Sequence, residues 1–175
     1  MFTRMFNYFA YGSVLSPTHA REWCASHGLD AKPFEAGVPA VLEGYRLVFD
    51  VPSRFWSGLV ADLAPQAGAR VEGGLFTLDD SAREAVLRKE GVATGLYREL
   101  AVTVRAGGKD VAASAFECLP ARRVPEGPAS SRYLDALLEG ARDRALSPAW
   151  ITSLEAIARD AGKPPPVGVP LKFGR

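Results

Sequence analysis

Cysteine is scarce in this sequence: Cys24 and Cys118 are the two among 175 residues. Two distant thiols make no disulfide framework, and two Cys with two His offer too few ligands for a ready zinc site. Charge of one sign is lacking as well. Lys and Arg number 21 against 20 Asp and Glu, a net charge of +1. No field of that size holds a polyanion, which argues against nucleic acid or an anionic membrane as a main partner. No apolar run reaches the ~20 residues that a membrane span requires. The first 15 residues carry Arg4 as their one charge, and Asn7 and Ser13 interrupt their apolar character. They lack the long apolar region and small-residue cleavage site of a secretory signal. The expectation is a cytoplasmic protein.

What is present is ordinary for a globular chain: 47% hydrophobic and 23% charged residues. The length suits one domain spanning 1–175 with a sizeable core. Residues 8–11 read as a short strand stopping at Gly12. Ser16 then reads as a helix cap with Pro17 in the first helical position, the helix running to about His27 and stopping at Gly28. Strands are predicted over 38–51, with a bend or bulge at Gly44, and over 58–63 and 70–78, with residues 65–68 as the turn between the last two. Ser81 opens a second helix with Glu84 as its capping-box partner, and Gly91 closes it. Strands 99–105 and 111–118 are joined through Gly107-Gly108, a strong hairpin signal. Residues 120–128 form a loop. Ser130 or Ser131 caps a third helix ending near Gly140, Ser147-Pro148 starts a fourth to about Asp160, and a proline-rich tail extends from Lys163. About six strands and four helices, with strands in hairpin succession, predict an α+β fold: a mixed or antiparallel sheet flanked by helices.

Two segments carry chemistry. In Tyr8-Phe9-Ala10-Tyr11-Gly12-Ser13-Val14-Leu15 a strand runs into a glycine turn just before a helix cap. Gly12 permits close approach of a ligand, and successive N–H groups at such a turn form an anion-binding concavity. A plain strand-turn-helix junction reads the same way on composition. The second segment is Leu87-Arg88-Lys89-Glu90-Gly91-Val92, followed by Gly95-Leu96-Tyr97. Helical spacing puts Glu90 on the apolar stripe and in the last turn, where the dipole disfavours a carboxylate. Desolvation and the dipole would both raise its pKa. A frayed helix end with Glu90 in water is the equal alternative. Elsewhere, His19 and His27 read as surface or cap residues. Trp23, Trp56 and Trp150 read as core or interface, and Arg122-Arg123 as a solvated pair. Ser13 has no histidine partner for a catalytic triad.

Together the two segments resemble the γ-glutamylcyclotransferase-like (AIG2-like) family. Residues 8–15 resemble its Tyr-Phe-Ala-Tyr-Gly-Ser-Asn-Leu signature. Residues 87–97 resemble its Leu-Asp-x-x-Glu-Gly-Val-x-x-Gly-x-Tyr block, with Glu90 on the catalytic glutamate and Tyr97 on the tyrosine. Val71-Glu72-Gly73-Gly74-Leu75-Phe76 resembles the strand upstream of that block. Ser131-Arg132-Tyr133-Leu134, Gly140-Ala141 and Leu146-Ser147-Pro148 resemble the family's C-terminal helix pair.

The resemblance implies a small β-barrel with flanking helices and no cofactor or metal. It implies conversion of a γ-glutamyl amine or γ-glutamyl amino acid to 5-oxoproline and a free amine. It places Glu90 as general acid/base, Tyr11, Gly12, Ser13, Val14 and Leu15 around the γ-glutamyl moiety, and Tyr97 and Tyr133 as further substrate-binding residues. A homodimer is compatible with it. Val14 replaces the usual Asn, Arg88 stands where an Asp often lies, and Phe116 stands where some members carry a tyrosine. Two other roles fit the same residues: a ligand-binding or regulatory domain without turnover, and a tailoring enzyme removing a γ-glutamyl protecting group. The leaving amine is left open.

Overall fold

The computed structural model describes residues 4–161. Five strands close into a barrel in the order β1-β3-β2-β4-β5. These are β1 (Phe6–Ala10), β2 (Val38–Ser53), β3 (Gly58–Leu78), β4 (Tyr97–Ala106) and β5 (Lys109–Cys118). All neighbours pair antiparallel except β1 and β5, which meet in parallel at Tyr8 and Ser114. Four helices flank the barrel: α1 (Pro17–Ser26), α2 (Asp80–Lys89), α3 (Ser131–Asp143) and α4 (Pro148–Ala161). The fold is of the α+β class that the residue pattern predicts, closed into the small barrel that the resemblance implies. The proline-rich tail from Lys163 lies outside the described residues.

The described strands number five rather than about six because residues 58–63 and 70–78 are one strand. Pro65 pairs with Tyr45 and Arg70 with Glu43, so Gly44 alone opposes residues 66–69. The turn residues therefore bulge out of a ladder that resumes on either side. Gly44 and Gly68 both take φ of +78°, a conformation that glycine adopts without steric cost. A β2–β3 pair this long lets one hairpin span the barrel wall.

Helix ends follow capping chemistry, with two departures. Ser16 caps α1 by accepting the His19 N–H at 3.0 Å, with Pro17 behind it, and Gly28 follows at φ +65°. The cap of α2 is Asp79, whose carboxylate accepts the Ala82 N–H at 2.8 Å, and not Ser81. An ionised acceptor at a helix N-terminus also meets the positive end of the dipole. Ser130 caps α3, which runs three residues beyond Gly140. Gly140 is no stop: a Cβ there would lie 2.5 Å from Leu15 Cβ and carbonyl carbon. Its missing side chain lets α3 press against the turn after β1.

Phe9, Phe76, Leu63, Leu78, Phe116, Leu134 and Leu137 are among the fully buried side chains. They fill the barrel and the seam to α3. Glu72 is also buried, and its carboxylate accepts the Ser147 N–H at 2.8 Å and hydroxyl at 2.6 Å. That contact ties β3 to the start of α4. Among the described residues no helix is long and apolar enough to cross a membrane.

Candidate active site

A cavity of about 160 Å³ opens beside the end of β1. One water requires roughly 10–15 Å³ on such a measure, so the space suits a small organic ligand. Its floor is the turn after β1. Ser13, Val14 and Leu15 form a single 3-10 turn in which Leu15 N–H bonds the Gly12 carbonyl at 3.1 Å. Gly12 carries no side chain because the Tyr133 hydroxyl occupies that place, 2.9 Å from where a Cβ would sit. Facing the turn is the end of α2. Glu90 is the residue that caps α2, its N–H bonded to the Val86 carbonyl at 2.9 Å, with Gly91 turning the chain away at φ +61°.

Glu90 is partly buried and lines the cavity. Its Oε1 accepts the Tyr8 hydroxyl at 3.3 Å. Burial raises its pKa above the ordinary carboxylate value, while the Lys89 ammonium and the Tyr8 bond pull it down. The same burial raises the Tyr8, Tyr11, Tyr97 and Tyr133 phenols, and Glu90 adds to each. All four therefore enter the site as neutral hydroxyls. Tyr11 donates to the Phe116 carbonyl, and Tyr97 to the Ala61 carbonyl at 3.4 Å. A cavity that holds one carboxylate of raised pKa among neutral phenol hydroxyls is equipped for proton transfer.

Seven of the eight residues singled out in the sequence line this cavity: Tyr11, Gly12, Ser13, Val14, Glu90, Tyr97 and Tyr133. Leu15 does not. It is buried with its side chain at Gly140, and its N–H is used within the turn. The sequence reading passed over Tyr8, Lys89 and Trp56, which also line the cavity. Tyr8 carried the one signal, a phenol on a short strand running into the Gly12 turn.

Two readings of neighbouring residues change, those of His19 and Arg123. His19 is buried rather than superficial, its ring 4.8 Å from that of Trp56, and burial with the Lys89 charge holds its pKa at about 4. Trp56 in turn stands edge-on to Tyr133 at 5.4 Å, so the β2–β3 tip is locked to the cavity wall. Arg123 is no solvated residue. It reaches buried Asp62 at 2.9 Å and the Cys118 carbonyl at 3.1 Å, with Glu117 at 3.8 Å. Arg122 binds the Thr94 and Gly95 carbonyls at 3.1 and 3.3 Å. Among the described residues no group of His, Cys, Asp and Glu is arranged to hold a metal ion.

A closed five-stranded barrel, with a half-buried glutamate facing a glycine turn, defines the class of fold and site. Comparison with known proteins then gives its relatives. Residues 70–154 match the model of the AIG2-like family. A γ-glutamylcyclotransferase from Bos taurus is 27% identical over 159 residues, covering 87% of this chain and 78% of that one. YkqA from Bacillus subtilis superimposes with a TM-score of 0.77 at 28% identity, over 89% of this chain and 55% of YkqA. A solved γ-glutamyl cyclotransferase shows the same fold with a TM-score of 0.74 at 22% identity, over 87% of this chain and 88% of its own. This chain is homologous to the AIG2-like and γ-glutamylcyclotransferase family.

Proposed function

We propose that this chain is an enzyme of the γ-glutamylcyclotransferase type. It converts a γ-glutamyl amine or γ-glutamyl amino acid to 5-oxoproline and a free amine. The observation that carries the reading is Glu90: a carboxylate raised by burial, in a cavity whose opposite wall is the Gly12–Ser13 turn.

The nucleophile is the substrate's own α-amine. Its nitrogen attacks the γ-carbonyl carbon and closes the five-membered ring, while Glu90 accepts the amine proton. The γ-carbonyl oxygen takes the electron pair. Collapse of the tetrahedral centre breaks the bond to the leaving nitrogen, and Glu90 returns the proton there. Proximity is built into the substrate, so holding it folded draws on the roughly 7–11 kcal/mol available from orientation.

Proton transfer from an amine of pKa about 7.8 to a free glutamate of about 4.3 costs roughly 4.8 kcal/mol. Each pH unit by which burial lifts Glu90 removes about 1.4 kcal/mol of that cost. In this reading backbone N–H groups of the Gly12–Ser13 turn, which lines the cavity, serve the developing oxyanion, where one donor contributes about 3 kcal/mol. Val14 lines the cavity where the family pattern has Asn, so the backbone carries this contact alone.

The test is a panel of γ-glutamyl amines and amino acids with wild type and Glu90→Gln. Wild type is expected to release 5-oxoproline, and the variant to lose roughly 10²–10⁴-fold in rate. Thermal stabilisation by the panel without product would instead identify a binding domain of the same fold. Equal product from both proteins would remove Glu90 from the mechanism.

A further inference from the structure

Two charged side chains line the cavity, and they are consecutive: Lys89 and Glu90. Lys89 Nζ donates to Ser13 Oγ at 3.3 Å and stands 5.8 Å from the centre of the Trp23 ring. Both partners are neutral. Among the ion pairs of the described residues none involves Lys89. A desolvated ammonium without a carboxylate partner is costly, and proteins pair such charges. Burial lowers the Lys89 pKa, with Glu90 acting in the opposite sense. A lysine at a helix C-terminus ordinarily complements the dipole from the surface. Here exposed Arg88 occupies that role, and Lys89 is turned into the cavity.

An α-amino acid head carries an amine and a carboxylate on one carbon. Adjacent carboxylate and ammonium groups in a single small cavity are its complement. We infer that Lys89, together with Ser13 Oγ, binds the α-carboxylate of the γ-glutamyl substrate and of the 5-oxoproline product. The inference rests on the proposed function, in which Glu90 meets the α-amine bonded to the same carbon. It adds a consequence for catalysis. Lys89 holds the Glu90 pKa down. A substrate carboxylate paired with Lys89 cancels that field, so binding makes Glu90 the stronger base at the moment the proton must move.

The experiment compares 5-oxoproline with 2-pyrrolidinone, the same ring without its carboxylate, by calorimetric titration of wild type, Lys89→Gln and Lys89→Arg. A hydrogen-bonded charge pair predicts that wild type prefers 5-oxoproline by roughly 10- to 100-fold. Lys89→Gln is expected to lose most of that preference and Lys89→Arg to keep most of it. In wild type, the Lys89 Nζ resonance is expected to shift with 5-oxoproline and to stay put with 2-pyrrolidinone. This decides the matter should the Gln variant not fold. An unchanged preference in Lys89→Gln, or an unmoved Nζ resonance in wild type saturated with 5-oxoproline, overturns the role of Lys89 while γ-glutamyl turnover persists. A wild type that neither binds 5-oxoproline nor forms it from any γ-glutamyl compound overturns the proposed function itself.

Discussion

Tyr8→Phe isolates the one hydrogen bond that the described residues make to the carboxylate of the candidate base. The hydroxyl donates to Glu90 Oε1 at 3.3 Å, stabilising the charged carboxylate against the burial that disfavours it. Phenylalanine keeps the ring contacts to Phe76 at 6.1 Å and to Phe116 at 5.8 Å. A bond to a charged group contributes about 1.5–3 kcal/mol to stability at good geometry. This one is longer than the usual O–H···O distance of about 2.7–2.8 Å. About 1 kcal/mol is therefore expected, which moves the Glu90 titration upward by about 0.7 of a pH unit. The sign is fixed, because losing a donor to the charged form favours protonation. The assay is the carboxyl carbon resonance of Glu90 followed from pH 3 to 9, alongside the acid limb of kcat/KM for 5-oxoproline release. Both midpoints are expected to rise together. A midpoint that stays or falls would refute the assigned contact, and a carboxyl midpoint that rises without the kinetic one would show that another group is the base.

Other consequences lie in the scaffold. Gly140→Ala drives a Cβ against Leu15 backbone and side chain at 2.5 Å, and overpacking of this kind costs about 1–3 kcal/mol or more. Thermal unfolding reads it at about 2–4 °C per kcal/mol, and an unchanged Tm would show that α3 and the β1 turn are not held in this contact. Asp62 is wholly buried, and its carboxyl is pushed up to about 6 from 3.8, chiefly by desolvation. A folded-state pKa above the unfolded one means that the native protein binds more protons between those values. Stability from this group thus falls as pH rises from about 4 to about 6. Asp62→Asn is expected to flatten that slope in urea titrations at pH 4, 5, 6 and 7; a slope identical to wild type would assign it to other groups.

The sequence made the site's two walls legible for different reasons. The Gly12 turn shows because a strand, a glycine and the Ser16-Pro17 cap leave the chain little choice. Glu90 shows because an acid on an apolar stripe at a helix end breaks two local preferences. Lys89 broke no rule, since lysine belongs at a helix C-terminus, and only the packing turns it inward. The segment 65–68 carries every signal of a turn, yet its neighbours pair across the same β2 strand and make it a bulge. Gly140 has the composition of a stop signal and serves instead as a site of close approach. His19 and Arg123 depart from the local pattern for a common cause. Their burial depends on the β2–β3 tip and on Asp62, partners more than 30 residues away in sequence, and local pattern does not encode such contacts.

The central claim is that the substrate's own amine, and not water, attacks the γ-carbonyl. Turnover of a γ-glutamyl amino acid in water enriched in oxygen-18 tests it by mass spectrometry of the product. The account predicts 5-oxoproline free of the label, because no water oxygen enters the new amide. Glutamate carrying one oxygen-18 would contradict it.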